Sequence, residues 1–120
     1  MKKLILLPTL ILFLACAETG KSYTETAQIV VESFYNKDLK TLKKYTTEQS
    51  YQAFVAVQDM FATPEAADSD FKVLQEQEDG EIAWVKFTTA YEEKPETFKL
   101  VKENDQWKVT EIGIREKGPF

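Results

Sequence analysis

Histidine is absent from the 120 residues of this chain. That removes the commonest general base and the commonest transition-metal ligand. Cysteine occurs once, at Cys16. No intramolecular disulfide can form, so stability must come from an apolar core, to which eight Phe, five Tyr and two Trp can contribute. Glycine is confined to Gly20, Gly80, Gly113 and Gly118. There is accordingly no P-loop, no glycine-rich dinucleotide loop and no G-x-S-x-G nucleophile elbow. Basic side chains are too few: 15 face 20 acidic ones, for a formal charge of −5. An acidic chain without a basic patch argues against nucleic acid and against electrostatic docking on anionic lipid. Nowhere does an apolar run reach the roughly 20 residues that a spanning helix needs.

What is present begins with the N-terminal segment. Lys2 and Lys3 precede an apolar stretch from Leu4 to Leu14, interrupted by Pro8 and Thr9, and Ala15 then precedes Cys16. A basic start, a short apolar run and a small residue before the cut form an export signal. The cysteine after that small residue resembles the lipobox of bacterial lipoproteins, although of Phe13, Leu14 and Ala15 only Ala15 matches the strict pattern. The resemblance implies cleavage before Cys16, a diacylglyceryl thioether on its thiol and acylation, for example by palmitate, of the new amino terminus. The competing reading is a spare thiol in an ordinary signal or anchor. Each buried acyl CH₂ contributes about 0.8 kcal/mol, so two or three chains hold a protein durably on a membrane. Ala17, where an Asp would resemble an inner-membrane retention signal, tilts the expectation towards the outer membrane of a bacterial cell envelope.

The expected organisation is a signal peptide over 1–15, a lipidated cysteine and short linker over 16–22, one domain over 23–115 and a tail over 116–120. Residues 16–120 carry a formal charge of −7 and suffice for one domain. Ser22 with Glu25 predicts a capping box and a helix start. Ala27, Val30, Val31, Phe34 and Tyr35 then form one helical stripe. Asp38 can cap a second, short helix with Leu39, Leu42 and Tyr45 inward. Thr46 with Gln49 predicts the cap of a third helix, which presents Tyr51, Phe54, Val55, Gln58 and Phe61 inward, with Val57 and Met60 widening its apolar face. Thr63-Pro64 stops it.

Beyond that point the apolar period changes from 3.6 to 2. Strands are predicted over 71–78, 82–91, 97–102 and 107–114. Turns fall at Asp79-Gly80, Lys94-Pro95 and Asn104-Asp105, and a bulge near Thr110-Glu111. Helices first, then an antiparallel meander, is an α+β arrangement with one sheet face covered by helices.

The stretch ESFYNKDLKTLKKYTTEQ and the later EQEDGEIAWVKFTTAYEEKPETFKLVKENDQWKVTEIG resemble the opening and the closing hairpins of small bacterial lipoproteins with a cystatin-like fold of the nuclear-transport-factor-2-like kind. Among these is a lipoprotein family classed as a domain of unknown function. The likeness runs over residues 23–114 and rests on structural motifs, above all LVKENDQWKVTEI. Asn104-Asp105-Gln106 stands where that family often has Asp-Gly. The resemblance implies a four-stranded antiparallel sheet curved around the N-terminal helix, a cone whose open mouth is a natural pocket. That fold also hosts isomerases and dehydratases that use a Tyr/Asp or His/Asp pair. No matching pair is found here, and no catalytic residue is assigned. Tyr51 with an inward acid could mimic one; a core tyrosine with its hydroxyl at the rim is the bland alternative.

Phe34, Tyr35, Tyr51, Phe54, Phe61, Phe87 and Trp107 could line an apolar pocket or fill the core; Phe34, Tyr51, Phe54, Phe87 and Trp107 are the foremost pocket candidates. The acidic run Glu76, Glu78, Asp79, Glu81 lacks the spacing of a calcium loop and reads as a solvated hairpin tip; Glu92, Glu93 and Glu96 read the same way. No metal and no cofactor are expected. Trp84 and Tyr91 fall on opposite faces of one strand, so one of them should lie away from the helices. The expected partners are a membrane, through the N-terminal lipid, and a small apolar ligand or an envelope protein, with a homodimer through the open sheet face as a further option. An isomerase- or hydratase-type enzyme is the runner-up to a non-catalytic binding module.

Overall fold

A computed structural model describes residues 20–61, 68–110 and 118–120. The expected signal peptide, Cys16, residues 17–19 of the linker, the helix stop at Thr63-Pro64, Glu111 of the expected bulge and residues 116–117 of the tail lie outside the described residues. Three helices, α1 (Tyr23–Tyr35), α2 (Leu39–Lys44) and α3 (Glu48–Phe61), precede four strands, β1 (Lys72–Asp79), β2 (Ile82–Thr89), β3 (Glu92–Glu103) and β4 (Gln106–Val109). The strands form one open antiparallel sheet in sequence order, and the helices cover one face: an α+β domain, as the change of period predicts.

The helix starts follow local chemistry. At α1 the Ser22 hydroxyl accepts from the Glu25 amide at 3.0 Å and the Ser22 amide donates to the Glu25 carboxylate at 3.1 Å. This is the capping box, and it satisfies two otherwise orphaned donors. Ala27, Val30, Val31, Phe34 and Tyr35 are all buried. Lys37, at φ 58°, takes the left-handed conformation that ends the helix. Asp38 then caps α2 by accepting from the Thr41 amide. Leu42 of α2 is fully buried, whereas Leu39 is exposed.

The cap of α3 falls one residue later than predicted. The Thr47 hydroxyl accepts from the Ser50 amide. Thr46 is committed elsewhere: it forms a parallel bridge to Val109, and its hydroxyl donates to the Leu42 carbonyl. Val109 donates to Tyr45 and accepts from the Thr47 amide, so the segment between α2 and α3 covers the outer edge of β4.

In β2, Ala83, Val85, Phe87 and Thr89 are buried, while Trp84, Lys86 and Thr88 between them point to the other face. Phe98 and Leu100 of β3 and Trp107 and Val109 of β4 join them, packing on the α1 stripe. Trp84 is thus the aromatic on the face away from the helices. Gly118 lies so close to its ring that a Cβ there would stand 3.0 Å from it.

Two turns differ from expectation in place or length. The first hairpin reverses at Gly80-Glu81, with Gly80 at φ 68°, one residue beyond Asp79-Gly80. The second reverses at Ala90-Tyr91, because Thr89 already pairs with Glu92, so Lys94-Pro95 sits inside β3 rather than in a turn. The Asn104-Asp105 turn stands as predicted, both residues at positive φ (53° and 62°), the backbone of a type I′ reversal.

Lys94-Pro95 survives within the strand because the register slips there. Phe87 pairs with Glu96 and Thr89 with Glu92. One residue on β2 therefore opposes three on β3, and two residues are surplus. A bulge leaves backbone groups out of the ladder, and proline, which has no N–H to offer, fits such a place.

Candidate functional site

The third helix is unusual in what it buries. Its two buried residues are Ser50 and Gln58, both polar. The Gln58 amide donates to the Phe34 carbonyl at 2.8 Å, deep in the contact with α1. Lys37 adds an exposed ion pair to Asp59 at 2.8 Å; the ammonium holds the Asp59 carboxyl below the usual carboxylate range. Residues 50, 54, 57, 58 and 61 share one helical face. Phe54 is only half-buried, and Val57 and Phe61 remain exposed, the latter at 47%. The inward expectation for Phe61 and Val55 is therefore corrected: α3 is pinned by polar contacts at Ser50 and Gln58, and its apolar residues are not pressed onto the sheet. Met60, at 73%, is open to solvent.

Where α3 stands away from the sheet a cavity of about 420 Å³ opens. Val31, Phe34 and Tyr35 of α1 form its floor, Phe54, Val57 and Phe61 of α3 its roof, and Phe98 with the bulged segment of β3 its third wall. Glu92, Lys94, Glu96 and Thr97 provide its polar groups. The surplus residues of the bulge thus become cavity wall. Small-molecule sites commonly measure about 300–1,000 Å³ and join apolar walls to a few polar groups.

The best-defined polar group in the cavity is Tyr35. Its hydroxyl donates to Glu92 at 3.0 Å, and its ring stacks on Tyr91 with centroids 4.2 Å apart. Burial, the hydrogen bond to Glu92 and the charges of Glu96 and Glu92 push the phenol well above its usual range. Tyr35 is therefore a proton donor over the whole neutral range. The Tyr91 phenol is also raised, by burial first and by the charge of Glu32; its enclosed hydroxyl has no hydrogen-bond partner among the described residues.

Of the sequence-derived pocket candidates, Phe34, Tyr35, Phe54 and Phe61 line this cavity, with the Phe34 and Phe54 ring centroids 5.5 Å apart. Tyr51, Phe87 and Trp107 stand elsewhere, which corrects their assignment as lining residues. Phe87 is fully buried in the central strand, clamped between Phe71 and Phe98. Trp107 packs at the opposite end of the core, edge-on to Tyr23 at 5.5 Å, with the Lys102 ammonium over its ring. Tyr51 lies half-buried beneath Lys43. Val31, Val57, Glu92, Lys94, Pro95, Glu96, Thr97 and Phe98 were not candidates. The acidic residues of β3 had the signature of a solvated loop, and the bulge that turns them towards the cavity depends on pairing with β2.

Among the described residues no group of three or more acidic or thiol side chains is placed to hold a metal ion, and no helix is long and apolar enough to cross a membrane. No family model, curated protein or solved structure matches this chain.

Proposed function

We propose that this chain is a non-catalytic binding domain of the bacterial cell envelope, tethered by lipid on Cys16, that holds a small, largely apolar molecule in the cavity between α3 and β3. The observation that carries the reading is the open cavity itself. Val57 and Phe61 stay exposed along its roof instead of meeting the sheet, and burying them against a ligand recovers the hydrophobic stabilisation that folding leaves unrealised. In this reading the domain is of the nuclear-transport-factor-2-like lipoprotein kind, and the cavity is the mouth of its cone.

Native mass spectrometry of the chain purified from the envelope tests the ligand, with Val57→Trp as the control. The indole fills the cavity from an exposed helical position, so a bound mass should be present on the parent and absent from the variant. An empty parent, or a mass retained by Val57→Trp, would sink the reading. The tether is tested by labelling cells with a clickable palmitate analogue. Cys16→Ala should lose the label and leave the membrane fraction; an unlabelled parent chain contradicts lipidation.

The Tyr35–Glu92 pair favours one second reading, an isomerase- or hydratase-type enzyme. A phenol that stays protonated can donate to a developing oxyanion, and a neighbouring carboxylate can take up a proton. It predicts solvent deuterium entering the co-purified ligand, abolished by Tyr35→Phe. A ligand that remains unlabelled excludes it.

A further inference from the structure

We propose that the cavity selects a neutral molecule ending in a hydroxyl group: an apolar or aromatic body seated against Phe34, Phe54 and Phe98, with an alcohol or phenol that donates to the Tyr35–Glu92 pair. This rests on the cavity being a ligand site, and it names the chemical class of that ligand. The apolar walls fix only the body of the molecule. Its head group is decided by hydrogen bonding at Tyr35, Glu92 and Lys94, all of which line the cavity. Glu96, which has an interaction of its own, takes no part in this recognition. The Thr97 hydroxyl both donates and accepts, and so discriminates against neither kind of group.

The pair is built to accept. Tyr35 is 6% exposed. Its ring is held edge-on by Phe34 at 5.0 Å and face-on by Tyr91 at 4.2 Å. The hydroxyl is therefore positioned before a ligand arrives, and its proton goes to Glu92 at 3.0 Å. What remains to meet a ligand is lone pairs: those of the phenol oxygen, and the rest of those on the carboxylate, which only accepts when ionised. A head group that cannot donate leaves these acceptors unmet in an enclosed place, which is costly. A carbonyl or ether oxygen gains nothing from the pair unless the Tyr35–Glu92 bond breaks. Lys94 is the complement, since its ammonium only donates. A hydroxyl is the neutral group that suits both, because it gives one hydrogen bond and receives others. An ammonium head group would meet the like charge of Lys94, and a carboxylate that of Glu92.

The test compares 4-phenylbutanol with its methyl ether, two neutral molecules of which only the alcohol donates. The full chain is held in lipid nanodiscs with labelled methyl groups on Val31 and Val57, which line the cavity. Empty discs supply the correction for partitioning into lipid. An enclosed hydrogen bond to a charged group changes affinity by about tenfold or more. Glu92 is exposed, which reduces the effect. The alcohol-to-ether affinity ratio should therefore fall about fivefold in Glu92→Gln, whose amide also offers the ether a donor. Lys94→Met should weaken both molecules alike and leave the ratio unchanged, since both accept from an ammonium. The charged analogues 4-phenylbutylammonium and 4-phenylbutanoate should each bind more weakly than the alcohol. A ratio that Glu92→Gln leaves unchanged, or a charged analogue that binds tighter than the alcohol, overturns the hydroxyl assignment while leaving the cavity as a ligand site. Methyl signals unmoved by all four molecules overturn both.

Discussion

Tyr35 closes α1 with its ring on Tyr91 and its hydroxyl on Glu92, and this has a consequence for alkaline stability. An unfolded phenol titrates near its usual value of about 10, while the folded one is raised. Below that value both states are protonated, and the contribution is fully present. As pH rises beyond about 10 the unfolded chain ionises first, and stability falls until the folded phenol also loses its proton. Tyr35→Phe should therefore flatten the loss of stability above about pH 10, and the last phase of tyrosinate absorbance should vanish. Identical alkaline slopes in parent and variant would show that Tyr35 is not the responsible group. Trp107 makes a contribution of another kind, since it is 6% exposed and carries no polar duty in the cavity. Trp107→Ala should cost about 3–5 kcal/mol in urea unfolding, and a loss below about 1 kcal/mol, the range of surface substitutions, would contradict its place in the core.

Among the elements, α1 and α3 have nearly the same amphipathic pattern and opposite fates. The α1 stripe meets the centre of the sheet and is buried throughout. The α3 stripe meets a space, and no periodicity within a helix records whether the facing surface is packed or open. The same limit explains β3. Lys94-Pro95 has the local chemistry of a turn, and only the count of residues against β2 makes it a bulge. The helix order, the capping box at Ser22, the Asn104-Asp105 turn and the inward Trp107 and Val109 were legible because each depends on neighbours in sequence. Phe34 and Phe54 were legible as cavity residues for being aromatic on inward stripes, whereas Glu92 and Glu96 needed the register of another strand. Because α3 rests on α1 through Gln58, Gln58→Ala should remove that bond while the Phe34 carbonyl keeps the Lys37 amide, and cost about 0.5–1.5 kcal/mol. Hydrogen exchange should quicken along α3 first while α1 stays protected; equal acceleration in both helices would mean that α3 is not separately anchored.

At the scale of the whole molecule the charge is sorted by face. Lys86, Lys99 and Lys108 alternate with buried residues and so point with Trp84 to the side away from the helices, whereas the cavity rim is richer in carboxylates. The edges of the sheet are treated differently as well. The segment around Thr46 covers β4, while β1 is exposed along its whole length. Glu76 and Glu78 pair with Val85 and Ala83 and so point to the helix side, where inward charges discourage a second chain from adding to the edge. The bulge in β3 carries a further implication, for how this domain can vary in length. Its surplus is two residues, an even number, so Glu92 and Glu96 fall on the same side with or without them. Deleting Lys94 and Pro95 together should keep the fold and every inward residue, straighten the strand and remove the cavity wall on which the proposed ligand binding depends. Deleting Pro95 alone should turn the outer end of β3 inside out. The cavity is thus a module of paired residues that a lineage can gain or lose by insertion and deletion while the core stays as it is.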